Sequence, residues 1–152
     1  MKYIVYERDV CLIEDVKEKY IKGTDYYILR PLNDKTLKIS VPVNSKLLRN
    51  IISLEDANKL IDNMKSIEVI EDDKQIENEY KRLLDTGNLN DLVKIIKTTY
   101  LRNRERIINK KKISEKDDNY FNKAEDYLYT ESGVVFNMSK ENMKKYIIEK
   151  LK

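Results

Sequence analysis

Residues 36–64 read TLKISVPVNSKLLRNIISLEDANKLIDNM, and the spacing of their apolar positions changes partway along. Through TLKISVP (36–42) apolar and polar residues alternate, as in a strand with one buried face. Pro42 has no amide hydrogen to give a ladder, so that strand belongs at an edge or ends there. From Ser53 the pattern is helical. Ser53, followed three residues later by Asp56, has the form of a capping box that opens LEDANKLIDNM.

Upstream of this change the chain keeps the short period and is rich in β-branched and aromatic residues. Strands are expected near KYIVY (2–6), VCLIEDVKEKYI (10–21) and DYYILRPL (25–32). KGTD (22–25) and LNDK (32–35) supply the Gly, Asn and Asp that hairpin turns require. Four or five short strands bury little when flat, so a curled, barrel-like sheet is the expected form.

Downstream, the EDD at 71–73 is expected to cap a helix running KQIENEYKRLL until Gly87 stops it. Asn88 then caps a helix whose Leu89, Leu92, Val93, Ile96, Tyr100 and Ile107 fall on one stripe. Ser114 with Asp117 opens another helix, and Ser139 opens the last. The fold class expected is α+β in two domains, a β-barrel over 1–50 and a bundle of about five α-helices over 51–152.

Composition narrows the chemistry. The 152 residues include no histidine and one cysteine, Cys11, so a Ser-His-Asp triad, a Cys-His dyad and a typical zinc site are excluded. No disulfide can form within the chain, no run approaches the ~20 apolar residues of a membrane span, and the N-terminus does not read as a signal peptide. A cytoplasmic protein is expected, with neither a membrane nor a small-molecule substrate as partner. Glu71, Asp72, Asp73 and Glu77 could offer oxygen ligands to a divalent ion. At a helix start, however, negative charge already suits the helix dipole. The expectation is a non-enzyme with no catalytic residue, metal or cofactor. Tyr26, Tyr27, Tyr100, Tyr120, Tyr127 and Tyr129 have ring faces suited to base stacking, but their spacing reads first as core or half-buried.

One segment stands out by its charge. Residues 94–112, KIIKTTYLRNRERIINKKK, carry eight basic side chains against Glu105 alone, a net of +7 in a chain whose whole net charge is +3. Lys97 and Arg104 fall on one flank of the apolar stripe, Arg102 and Arg106 on the other, and Lys110, Lys111 and Lys112 extend the charge into the next turn. Long basic side chains can pack their stems and hold their heads in solvent. Such a row matches a phosphate backbone. The plainer alternative is a solvated helix whose cations suit its C-terminal end.

The order of these segments resembles the CarD/CdnL family: VY near the start, an IKG hairpin, YYILRPL, a strand ending in VPV, then ISLEDANKLI, EYKRLL with a Gly turn, and NLNDLVKIIKTTYLRNRER. The resemblance covers essentially the whole chain. It implies a bacterial transcription regulator whose Tudor/SH3-like barrel binds the β subunit of RNA polymerase. The helical part would contact promoter DNA at the upstream edge of the melted region and stabilise the open complex. By that resemblance Ile76 stands at the family's tryptophan wedge, with Lys81 nearby, while Asn78 and Glu79 replace a pair that is often basic. Arg102 and Arg106 match basic positions, and the longer INKKKI loop adds Lys110–Lys112. On the barrel, Lys19 matches a basic polymerase contact. Ser40 stands where an arginine often sits, with Lys38 on the same face and Ile39, Val41 and Pro42 completing the strand. The alternative function is an adaptor that binds polymerase or another partner with little or no DNA contact.

Overall fold

Tyr3–Tyr6 (β1) and Asp9–Ile21 (β2) form an antiparallel hairpin, with Tyr6 opposite Asp9 across a two-residue turn. The structure, a computed structural model, describes residues 2–151. Thr24–Pro31 (β3) returns along β2, and Ile21 faces Thr24 across Lys22 and Gly23. Those two turn residues have φ of 51° and 75°, the doubly positive pattern whose twist matches that of the flanking strands. Gly23 adopts it without strain, whereas Lys22 bears the cost of a side chain in the left-handed region.

Ile39–Pro42 (β4) pairs with β3, and Leu48–Asn50 (β5) with β1. The resulting five-stranded antiparallel sheet has the order β4-β3-β2-β1-β5. The sequence marked β4 from residue 36. Instead, residues 32–38 form a loop in which the Asp34 carboxylate accepts from the Thr36 amide at 3.1 Å, so local turn chemistry shortens the strand. Among the described residues the ladder is open at β4 and β5, not closed by hydrogen bonds into the expected barrel.

One apolar face draws on all five strands. Ile4, Cys11, Leu29 and Val41 are buried there, with Tyr6, Ile13, Tyr27, Ile39 and Leu48 packed against them. The β2–β3 pairing slips between Ile13 and Asp15 and again between Lys17 and Ile21. Irregularities of this kind bend a strand and raise its twist. Cys11 is fully buried, and desolvation together with nearby Asp9 raises its thiol pKa to about 11, which leaves it an inert core residue.

The helices are Leu54–Asn63 (α1), Ile76–Thr86 (α2), Leu89–Ile108 (α3), Glu115–Phe136 (α4) and Lys140–Leu151 (α5), with a short 3-10 turn at Met64–Ser66. Their starts are chemically explicit. The Ser53 hydroxyl accepts from the Asp56 amide at 3.0 Å, Asn88 from Asn90 at 2.8 Å, Ser114 from Asp117 at 3.2 Å and Ser139 from Asn142 at 3.1 Å. Gly87 ends α2 at φ 66°. Residues 71–73 do not cap α2: Gln75 holds the cap position, while the Asp72 carboxylate accepts from the Lys74 amide within its own turn. Tyr80, Leu83, Ile95, Leu128 and Met143 are the largest fully buried side chains of the bundle.

The chain is thus α+β and divides into two compact units, Met1–Ile52 and Ser53–Lys152. No helix among the described residues is long and apolar enough to cross a membrane.

Candidate nucleic-acid interface

One line of inward positions on α3 runs Leu92, Ile95 and Thr99, all buried, and then Arg102 and Arg106, which are half-buried. The inward stripe therefore turns charged in the second half of the helix. What it meets is Asp117, whose side chain is only 2% exposed. Arg102 donates through Nε to Asp117 Oδ2 at 2.9 Å, and Arg106 donates to the same oxygen at 2.7 Å. The fully buried Tyr80 donates its hydroxyl to Oδ1 at 3.0 Å. Burial pushes the Asp117 carboxyl up, but the hydrogen bonds from Arg106 and Arg102 outweigh it, and the group stays ionised below its usual range. Asp117 joins α2, α3 and α4 at one point.

Arg102 and Arg106 therefore do not hold their heads out to solvent as the sequence reading expected. Their guanidinium groups balance a buried carboxylate, which would be costly to leave alone. Arg102 also lies 3.8 Å from Asp73. Arg106 donates to Asn103 Oδ1 at 2.6 Å, and Asn103 grips both polar backbone groups of Ser114. Lys97 is committed too. Its ammonium donates to the carbonyls of Met64 at 3.0 Å, Lys65 at 3.1 Å and Ile67, tying the end of the 3-10 turn to α3.

Lys110, Lys111 and Lys112 are different, for all are exposed. Lys110 takes φ 58° at the end of α3. The Lys111 amide donates to Arg106 O at 2.8 Å and the Lys110 amide to Ile107 O at 3.0 Å. This is the Schellman arrangement, with lysine where glycine is usual. The turn holds the backbone of the lysine cluster, and its cations also suit the negative end of the helix dipole.

Ile76 opens α2 and is half-buried, not an exposed tip. It is followed by Glu77 and Glu79 in the first turn. Lys116 lies 2.9 Å and Lys81 3.8 Å from Glu77, and Glu79 pairs with Arg82. The hydrogen bond from Lys116, with further attraction from both lysines, holds the Glu77 carboxyl below its usual range. Lys81, although mostly exposed, thus has an acid beside it, and the Ile76 corner has no excess of positive charge.

In the other unit, β4 is an edge strand. Val41 points into the core, Ile39 and Pro42 are half-buried, and Ser40 is exposed. Lys38 is exposed, 3.8 Å from Glu14. Lys19 lies far along β2 at φ 46°, with its amide donating to the Asp25 carboxylate at 2.9 Å. The predicted contact residues Lys38–Pro42 are thus contiguous on one edge, and Lys19 belongs to the β2–β3 ribbon instead.

Among the described residues no group of three or more His, Cys, Asp or Glu side chains is arranged to hold a metal ion. The residues missed by the sequence reading are Tyr80 and Asp117. Asp117 was read as part of a capping motif, and its amide does serve there, but its carboxylate is left to face the arginines. The available signal was the continuation of the buried spacing of α3 into Arg102 and Arg106. No protein-family model matches the sequence, and no curated protein matches it.

Proposed function

We propose that the protein is a non-enzymatic transcription regulator of the CarD/CdnL type. Its N-terminal unit would be a Tudor-like module that docks on the β subunit of RNA polymerase. Its helical unit would touch promoter DNA at the upstream edge of the melted region and favour the open complex. The observation that carries this reading is the β4 edge: Val41 anchors the strand in the core while Ser40 and Lys38 stay exposed beside it. Strand addition at such an edge draws its affinity from main-chain pairing, and the exposed side chains beside it set which partner is accepted.

In this reading the phosphate contacts pass to Lys110, Lys111 and Lys112, because Lys97, Arg102 and Arg106 have internal partners. Non-specific contacts of this kind are weak alone, with a Kd of about 10⁻⁴ to 10⁻⁶ M at physiological salt. Tethering through polymerase would raise their effective concentration. A tenfold shift toward the open complex needs about 1.4 kcal/mol of differential affinity.

The test uses purified polymerase and measures both binding to the β subunit and open-complex lifetime. Wild type is expected to bind and lengthen the lifetime, and Lys38→Glu with Ser40→Glu to weaken binding at least tenfold without unfolding the protein. No binding by the wild type would overturn the proposal. A second reading, an adaptor with little DNA contact, is favoured by the internal commitment of Arg102 and Arg106 and by the carboxylates beside Ile76. It predicts polymerase binding that survives while salt-sensitive DNA affinity is absent.

A further inference from the structure

The second half of α3 and the first half of α4 leave an open groove of about 230 Å³ between them. Its apolar lining comes from Tyr100, Ile107, Ile108 and Phe121, with Arg104 among the polar residues that complete it. Ile107 and Ile108 are 63% and 67% exposed. These are large apolar side chains standing in water beside a concavity, at the end of a stripe whose first half packs into the bundle. Clustered aliphatic exposure of this kind marks an interaction surface more often than scattered single residues do.

The charge around the groove identifies the occupant. Arg104 and Asp118 line the groove, and beside it in sequence the exposed Lys110–Lys112 outnumber the exposed Glu105 and Glu115. The Schellman turn holds the backbone of the lysines next to Ile107 and Ile108. A second copy presenting this same surface would set lysine against lysine, which disfavours a symmetric dimer here. Duplex DNA would use the lysines but gain little from the isoleucine walls, since protein–DNA interfaces are polar.

We infer that this groove docks an amphipathic helix from a protein partner, one that inserts leucine-like anchors between α3 and α4 and flanks them with Asp or Glu facing the lysine turn. Apolar anchors at helical spacing lying in a groove are an established mode of peptide recognition. The acidic flanks would add rate and orientation rather than most of the affinity. The docking site shares Lys110–Lys112 with the proposed DNA contact but does not rest on it, because the isoleucine walls serve no phosphate.

The test titrates the full chain, ¹⁵N-labelled, with a synthetic helical peptide carrying Leu at i, i+3, i+4 and i+7 between flanking Glu residues. A control peptide replaces Glu with Lys. The expected result is saturable shifts centred on Tyr100, Ile107, Ile108 and Phe121 with the acidic peptide, and binding weakened at least tenfold with the basic one. Ile107→Ser with Ile108→Ser should also cost at least tenfold. Both positions are exposed, and the far-ultraviolet spectrum checks that the fold is kept. As a second variant, Lys111→Gln with Lys112→Gln should weaken binding and flatten its salt dependence. Absent shifts, or equal binding of both peptides, would overturn the inference. So would shifts of the same size at Tyr100 and Phe121, away from the lysine turn, produced by duplex DNA or by raising the protein's own concentration.

Discussion

Asp117 holds a negative charge that the helical unit has removed from water, and its arginine partners are what make that tolerable. Truncation to Asp117→Ala strands two guanidinium groups. Breaking a buried pair costs about 3–5 kcal/mol, and because Arg102 and Arg106 remain about a quarter exposed the lower end is expected, about 3 kcal/mol by urea unfolding. The pH dependence follows from the direction of its shift. The carboxyl is lowered in the folded protein, so its contribution is complete above the unfolded value of about 3.9 and is lost as pH falls from there through the lower folded value. Melting temperature should drop with acid in that window. Glu14, Glu77 and Glu79 are also lowered, each chiefly by a hydrogen bond from a cation, so they too lose a stabilising contribution as acid is added. Asp117→Asn isolates the buried group: if wild type and variant lose stability in parallel, the assignment to Asp117 fails.

Lys97 shows how an element can recruit a charge for purely structural work. The 3-10 turn at Met64–Ser66 leaves carbonyls that a longer helix would satisfy internally, and one ammonium from α3 serves them. Lys97→Met keeps the stem but removes this shared donor, leaving Met64 O with only the Ile67 amide at 3.3 Å, and an expected loss of about 1–3 kcal/mol should appear in thermal unfolding. DNA affinity at fixed salt should not change; a clear fall in a folded Lys97→Met protein would show that the head reaches phosphate after all. The helix starts at Ser53, Asn88, Ser114 and Ser139 were legible from sequence, because a cap involves residues only two or three positions apart. The start of α2 was not, since the acidic run at 71–73 has cap chemistry but turns on itself before the helix begins. β4 began later than alternation implied, for the same kind of local reason.

For the molecule as a whole, the dense basic segment divides into internal and external charge, and the division is measurable. Lys110–Lys112 are the exposed members, so replacing all three with Gln should reduce the slope of log affinity against log salt by about 2–3, given about 0.9 per phosphate contact on duplex. Arg102 and Arg106 should contribute nothing separable from folding. An unchanged slope in the triple variant would remove DNA from the function and leave the adaptor reading. The change from alternating to helical spacing near Ser53 and the absence of histidine chemistry could be read along the chain, because each depends on composition or near-neighbour periodicity. The fate of each cation could not. Arg102 meets Asp117 fifteen positions away, and a linear reading sees only a helix flank and a capping motif. Nor does spacing say where a stripe stops being covered: Tyr100 and Ile107 share the phase of the packed residues, yet they emerge into water beside α4. Periodicity sets the direction of a side chain relative to its own helix, whereas burial and pairing depend on what another element brings to the same place, and that exists only once the chain has folded.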